Sequence, residues 1–392
     1  MMGGLIFFWR RERKKKQLPV LKEHPFFSVL VPCHNEEAQL EETLSYLIDL
    51  DYPNYEIIFI DDGSIDRSVE IIHDFCLKHD KVRAVYLKDN QGKAAALNAG
   101  CLVSKGELLL SMDADSLIDR QCLKWMAWHF MEYPRVGAVT GNPRVINRTT
   151  LLGKIQTGEY ATIIGMIKRS QRILGKVLTV SGVIAAFRKK ALLSAGFWDT
   201  DMATEDIDIT WKLEKKYWDV RYEPRAVCWI FVPETLRGLW RQRLRWAQGG
   251  VEVLIKHKDV WEDWKQRRLW PIYVEYVFSA LWAYSFFILF SLWGVKALFG
   301  VYIPLPLVSP MPPLWTGSIL ALVCLILFSV SMYIDNLYDR KLFRYLFWVI
   351  WYPFIYWMIN VFTIVVAVPK AVFRKKGKRA IWTSPDRGIG KG

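Results

Sequence analysis

From residue 27 onward, short apolar runs alternate with helical stretches: FSVLVP, EEAQLEETLSYLIDL, YEIIFIDDG, SIDRSVEIIHDFCLKH, VRAVYL, GKAAALNAGCLVS and ELLLSMDAD. Strand, helix and strand in regular succession predict a doubly wound, mostly parallel α/β sheet of about 100 residues. Ligands on such sheets bind beyond the carboxyl ends of the strands. Polar residues gather at those ends: His34, Asn35 and Glu36 after the first strand, Asp61 and Asp62 after the second, Asp113 and Asp115 after the fourth.

Residues 136–235 are less regular. Residues 236–255 predict an amphipathic helix whose apolar stripe, Leu236, Trp240, Leu244, Ala247 and Val251, spans about 80°. That stripe suits either docking on the soluble core or lying in a membrane interface. Three long apolar runs follow, at about 272–295, 314–334 and 346–369, each of bilayer-spanning length and rimmed by Trp, Tyr, Lys and Arg. The predicted organisation is a basic juxtamembrane stub at 1–26, a catalytic α/β domain at 27–235, an interfacial region at 236–270, transmembrane helices at 271–370 and a basic tail at 371–392.

Composition sharpens this picture. Of 392 residues, 52% are hydrophobic and 19 are Trp, with the apolar excess concentrated after residue 270. The net charge of +14 comes from Lys and Arg crowded beside apolar runs, as at Arg10–Lys16 and Arg374–Arg379. Anionic lipid headgroups account for that placement better than nucleic acid. Six widely spaced cysteines form neither a zinc pattern nor a disulfide framework. The first nine residues, MMGGLIFFW, are too short to span a bilayer and read as the tail end of an anchor. The absence of Walker A and GxGxxG sequences removes the signatures of ATPase transport and dinucleotide chemistry.

Several stretches carry candidate chemistry. In SMDAD an extended backbone would point Asp113 and Asp115 to one side, where they could share a divalent cation. Oxygen-only ligands favour Mg2+ or Mn2+. IDDGS is equally a turn with a Ser64 helix cap or a pair of strand-end carboxylates able to accept the imide N–H of uracil. In NQGKAAALNAG, Lys93 follows a glycine at a helix start, a suitable place for an anion. TEDID crowds acidic residues into a helix's first turn, where neighbouring charge raises a carboxylate toward the range of a general base. RQRLRW places Gln242, Arg245 and Trp246 on one helical face, offering a guanidinium for pyrophosphate and an indole for a sugar ring.

Taken one at a time these signals are ordinary, but their order is not. DDGS, NQGKAAALN, DxD, TED and QxxRW followed by apolar spans resemble glycosyltransferase family 2, the processive membrane synthases of cellulose, chitin, hyaluronan and poly-N-acetylglucosamine. GAVTGNPRV, TVSGVIAAFRKKAL, ATEDIDITWKL, PETLRGLWRQRLRWAQGG and WTSPDRGI look most similar to the poly-β-1,6-N-acetylglucosamine branch. The resemblance implies a GT-A-like fold with its catalytic domain in the cytosol and several membrane passes. It implies that Pro32, Asn35, Glu36, Asp61, Asp62, Lys93 and Asp113 surround a UDP-sugar donor and that Asp113 and Asp115 hold the metal. Asp206 is then the catalytic base, and Gln242, Arg245 and Trp246 bind pyrophosphate and the growing polysaccharide acceptor. It further implies a lipid bilayer and a small membrane subunit as partners, with no nucleic acid. Two features depart from the family: His34 stands where an aromatic residue is frequent, and relatives carry N-terminal spanning helices where this sequence has a stub.

Overall fold

The computed structural model describes residues 1–381 apart from 14–16, 19, 305–314, 351, 353–355, 375–376 and 378. Residues 382–389, where the sequence reads WTSPDRGI, lie outside the described residues.

The N-terminal half follows the alternating pattern. Strands β1 (Phe27–Cys33), β2 (Tyr55–Asp62), β3 (Val82–Leu87) and β4 (Leu108–Met112) are joined through helices α2 (Glu37–Ile48), α3 (Ser68–Lys78) and α4 (Lys93–Val103), while α1 (Met2–Phe7) precedes them. Nearly every residue of β1, β2 and β4 is buried, as expected for strands covered on both faces. After β4 come β5 (Leu117–Ile118), α5 (Cys122–Glu132), β6 (Val136–Val145), α6 (Leu151–Glu159), a π-helical turn at Tyr160–Met166, and α7 (Ile167–Leu174). The domain closes with β7 (Ile184–Arg188), α8 (Lys189–Ala195), α9 (Glu205–Lys215) and β8 (Asp219–Ile230).

The eight strands form one sheet in the order β3-β2-β1-β4-β7-β6-β8-β5. Pairings β1–β2, β2–β3, β1–β4 and β6–β8 are parallel, whereas β4–β7, β6–β7 and β5–β8 are antiparallel. The sheet is therefore mixed: six strands run one way, in keeping with the mostly parallel sheet expected, and β7 and β5 run against them. Pro32 sits in the central strand β1, yet β4 pairs with β1 only through Leu30. Proline lacks a donor and is tolerated where the ladder has opened; that opening is the crevice of the site.

Helix α10 (Leu236–Lys256) leads to α11 (Trp270–Phe299), α12 (Trp315–Asp335), the short α13 (Leu346–Val349) and α14 (Trp357–Val372). The face of α10 that is buried is not the predicted stripe. Of that stripe Leu236 is 63% exposed, Trp240, Leu244 and Ala247 are half-buried and only Val251 is buried, while Leu239, Arg243, Gly250, Val253 and Leu254 are buried beside it. A charged residue on the buried face defeats a reading by hydrophobicity alone. α11, of 30 residues, is the one helix among the described residues long and apolar enough to cross a membrane. α12 follows the second apolar run, and the third carries α13 and α14, with Tyr352 and Tyr356 in π-helical backbone between them.

Buried ion pairs join these helices to the domain. Arg169 of α7 bonds Glu12 at 2.6 Å and Asp335 of α12 at 2.8 Å, and Arg144 of β6 lies 2.6 Å from the other Asp335 oxygen. The N-terminal segment is thus seated on the catalytic domain. So is the end of the chain: Arg374 bonds Glu252 of α10 at 2.6 Å, Arg379 donates to Gln91 at 3.3 Å, and Ala380 N–H donates to the Thr200 carbonyl at 2.9 Å.

Candidate active site

The crevice beyond β1, β2 and β4 collects most of the residues singled out from sequence. Asp62 is fully buried, and its two oxygens accept the backbone N–H groups of Gln91 and Gly92, each at 2.8 Å. Burial raises its pKa, and those two bonds oppose the rise. Asp62 therefore organises the loop that starts α4. Asp61 instead caps its own turn, accepting from Ser64 N–H at 3.1 Å. Gly63 adopts φ +69°, and a Cβ there would lie 2.8 Å from the Asp89 carbonyl carbon, so this turn requires glycine.

Asn35 also has positive φ, +56°. Its amide oxygen accepts from Ile65 N–H at 2.9 Å, its own N–H donates to Ser64 at 2.9 Å, and Glu36 N–H donates to Ser68 at 2.9 Å. The His34 ring contacts the Asp62 carbonyl at 2.8 Å through Nδ1. These residues tie the β1 loop to the β2 loop.

Lys93 opens α4 at the centre of the crevice. Its ammonium is hydrogen-bonded to Asp113, donates to the Gly182 carbonyl at 3.0 Å and lies 3.4 Å from Glu205. Burial lowers its pKa, but Asp113 and Glu205 outweigh that and leave it raised. Asp113 and Asp115 do not lie in extended backbone as expected. The chain leaves β4 at Met112 and turns, with Thr43 donating to the Ala114 carbonyl at 2.7 Å to fix the bend. Asp115 is buried at 6% exposure and Asp113 faces the crevice. Two hard carboxylates without His or Cys suit Mg2+ or Mn2+. Among the described residues no group of three or more His, Cys, Asp or Glu side chains gathers as a metal site.

Asp206 lies in the first turn of α9. Its carboxylate accepts from Gly182 N–H at 3.1 Å and from Ile207 N–H at 2.9 Å. Burial first, then the charge of Glu205, pushes its pKa up to about 6, against the pull of Lys93 and Arg245. The peptide of Gly182 thus bridges Asp206 through its N–H and Lys93 through its carbonyl.

On the facing side, α10 rests on the start of α9: a Cβ on Gly249 would fall 2.1 Å from the Thr204 hydroxyl. This brings Arg245 to donate to the Ala203 carbonyl at 3.4 Å and leaves Trp246 half-buried against the main core. Gln242 keeps its side-chain oxygen buried without a partner among the described residues.

Sequence reasoning missed Lys168. It reaches in from α7, buried, and donates to Thr140 at 3.1 Å; the same Thr140 oxygen accepts from Ser181 N–H at 2.8 Å. Burial pushes its pKa down to about 7, and Asp206 opposes that shift. A lysine in SQRIL-type helical sequence gives no local signal; only the fold carries it to Asp206.

Comparison with known proteins agrees with this arrangement. Residues 28–194 match the family model for glycosyl transferase family 2. A poly-beta-1,6-N-acetyl-D-glucosamine synthase of Staphylococcus epidermidis is 43% identical over 395 residues, covering 99% of this chain and 95% of that protein. The synthase of that name from Staphylococcus aureus strain COL is 41% identical over 396 residues with the same coverage. Among solved structures, a mannosyltransferase from Pyrobaculum calidifontis in complex with GDP-Man and Mn2+ superposes with a TM-score of 0.63 at 23% identity, covering 96% of each chain, which shows a shared GT-A-like fold. With synthases of that family aligned along nearly its whole length, this chain belongs to glycosyltransferase family 2.

Proposed function

We propose that the chain polymerises N-acetylglucosamine from UDP-N-acetylglucosamine into a β-1,6-linked polysaccharide and passes the product into the membrane region. The observation that carries this reading is the convergence of Asp206, Lys93 and Asp113 on one crevice, with Trp246 across from them, in a chain so similar to synthases of that polymer.

Asp61, Asn35, Glu36, Pro32 and the loop held by Asp62 line the side where the uridine lies, and Lys93 with the start of α4 faces its diphosphate. Asp113 and Asp115 are the residues suited to hold Mg2+ or Mn2+, which supplies charge neutralisation for the diphosphate when bound. Gln242 and Arg245 approach the same diphosphate from α10. Trp246 offers a flat face to the terminal acceptor sugar. The acceptor hydroxyl oxygen bonds to C1 of the donor sugar as the C1–O bond to UDP breaks, inverting that carbon, and the hydroxyl proton passes to Asp206. A carboxylate with a pKa of about 6 is ionised at neutral pH yet basic enough to take it.

The contacts of the tail bear on topology. Since Arg374 and Ala380 touch the catalytic domain, an even number of crossings separates α10 from the tail. We read α11 and α12 as the crossing pair; α12, with 21 residues, is about 32 Å long. The third apolar run then stays on the catalytic side, which removes the conflict between three spans and a cytosolic basic tail. The reading is of a multi-pass membrane protein whose catalytic domain is cytosolic and which works with a small membrane subunit.

The test is incubation of membranes carrying the full chain with single UDP-sugars, followed by linkage-specific digestion. UDP-N-acetylglucosamine should be the donor consumed, with a product cut by a β-1,6-specific hexosaminidase and resistant to chitinase. A polymer made from another sugar, or one digested by chitinase, would overturn the assignment.

A further inference from the structure

Three residues before Trp246 in α10, Arg243 is buried beneath the indole. Its guanidinium carbon lies 4.2 Å from the ring centroid. The guanidinium Nη2 donates to Glu159 of α6 at 2.6 Å and to the Tyr356 hydroxyl, at the start of α14, at 2.9 Å. Tyr356 in turn donates to the same Glu159 oxygen at 2.8 Å, closing a ring of three polar groups from three parts of the chain. Nε and Nη1 have no partner among the described residues.

A buried guanidinium facing one carboxylate is a poor device for stability alone. Replacing such a network with apolar side chains of similar volume is often neutral or stabilising. What the arrangement does achieve is orientation. A planar cation under one face of an indole fixes the ring plane by electrostatics and stacking, and leaves the opposite face for another flat partner.

We infer that Arg243 is a positioning residue for the acceptor: it sets the plane of Trp246, and through Glu159 and Tyr356 it ties that plane to the C-terminal helix. This rests on the reading of Trp246 as the acceptor platform. Arg243 itself contacts no reacting atom. Its effect is on how well the acceptor hydroxyl is presented to Asp206, so an ill-held acceptor lets water compete for the donor sugar.

The experiment measures transfer to added β-1,6-linked glucosamine oligosaccharides, release of free N-acetylglucosamine, and UDP binding, all in the full chain in membranes. Transfer by the parent checks the proposed function separately, before any variant is compared. Arg243→Met should raise the acceptor KM, and the ratio of donor hydrolysed to donor transferred, about tenfold or more, since small misplacements of a reacting group carry such losses. UDP affinity should stay near the parent value. Arg243→Met combined with Glu159→Gln removes the unpaired carboxylate as a cause of misfolding and should show the same acceptor defect. Arg243→Lys keeps the charge without the planar stack and should not recover the parent ratio. Tyr356→Phe should move both readouts in the same direction by less. A folded double variant that binds UDP and matches the parent in acceptor KM and hydrolysis ratio within about twofold would overturn the inference. So would loss of acceptor use only in step with loss of UDP binding.

Discussion

Asp206 and Asp208 stand two residues apart in α9 and face opposite environments. Asp206 looks into the crevice beside Lys93 and Gly182, whereas Asp208 is fully buried on the other side, 2.8 Å from His257 and 2.8 Å from Lys256. Glu205 is the neighbouring carboxylate that raises the Asp206 pKa, while Asp208 is paired with Lys256 and His257. Their stabilities should differ accordingly. Asp208→Asn removes one partner of a buried charged cluster and should cost about 3 kcal/mol or more, read as a lowered unfolding midpoint. For Asp206 the folded pKa lies above the ordinary 3.8, so its contribution to stability is full below that value and lost as pH rises through about 6. At neutral pH Asp206→Asn should leave the midpoint unchanged or raised.

The pH dependence of transfer follows from the same shift. The base works ionised, so kcat should fall as pH drops through about 6. Lys93 and Arg245 both pull the Asp206 pKa down. Arg245→Met should therefore move the acid limb upward, measured on residual transfer across pH 5 to 8; a limb that stays put would separate Arg245 from the base.

Chelation should abolish transfer, and Mg2+ or Mn2+ should restore it. Asp115→Ala should remain inactive at every metal concentration tested, because it removes one of the two carboxylates, buried in the turn after β4, that are suited to the cation. Full turnover in excess chelator would remove the cation from the mechanism.

Topology has an equally direct readout. A cysteine at Arg379, whose side chain bonds Gln91 on the catalytic domain, should react with a membrane-impermeant thiol reagent only after the membrane is opened. Labelling in sealed cells would place the tail outside and contradict the even number of crossings.

Much of this was legible in the chain. The run from FSVLVP to SMDAD spells out β1 to β4 because each strand is buried on both faces and each helix keeps a polar face. Asp206, Lys93 and Asp113 stood out because strand ends and helix starts are local features, and Trp246 because of its helical spacing from Gln242. Other facts depend on partners far away in sequence. Nothing local to Asp62 signals that its oxygens accept from Gln91 and Gly92, 29 and 30 residues on. Asp208 reads as part of an acidic cluster until α10 brings Lys256 and His257 to it. Arg243 looks like a solvated residue of an amphipathic helix, yet it is buried because Glu159 and Tyr356 meet it there. Antiparallel β7 likewise follows from long-range pairing, which hydrophobic periodicity does not encode.

The central claim, that Asp206 takes the acceptor proton in a sugar transfer, is tested most directly by Asp206→Asn. The substitution keeps the size of the side chain and removes the proton acceptor. Base catalysis contributes a factor of about 10²–10⁴, so polymer formation from UDP-N-acetylglucosamine should fall at least that far while UDP binding and membrane insertion stay near the parent values. A variant that polymerises within about tenfold of the parent would show that the proton goes elsewhere.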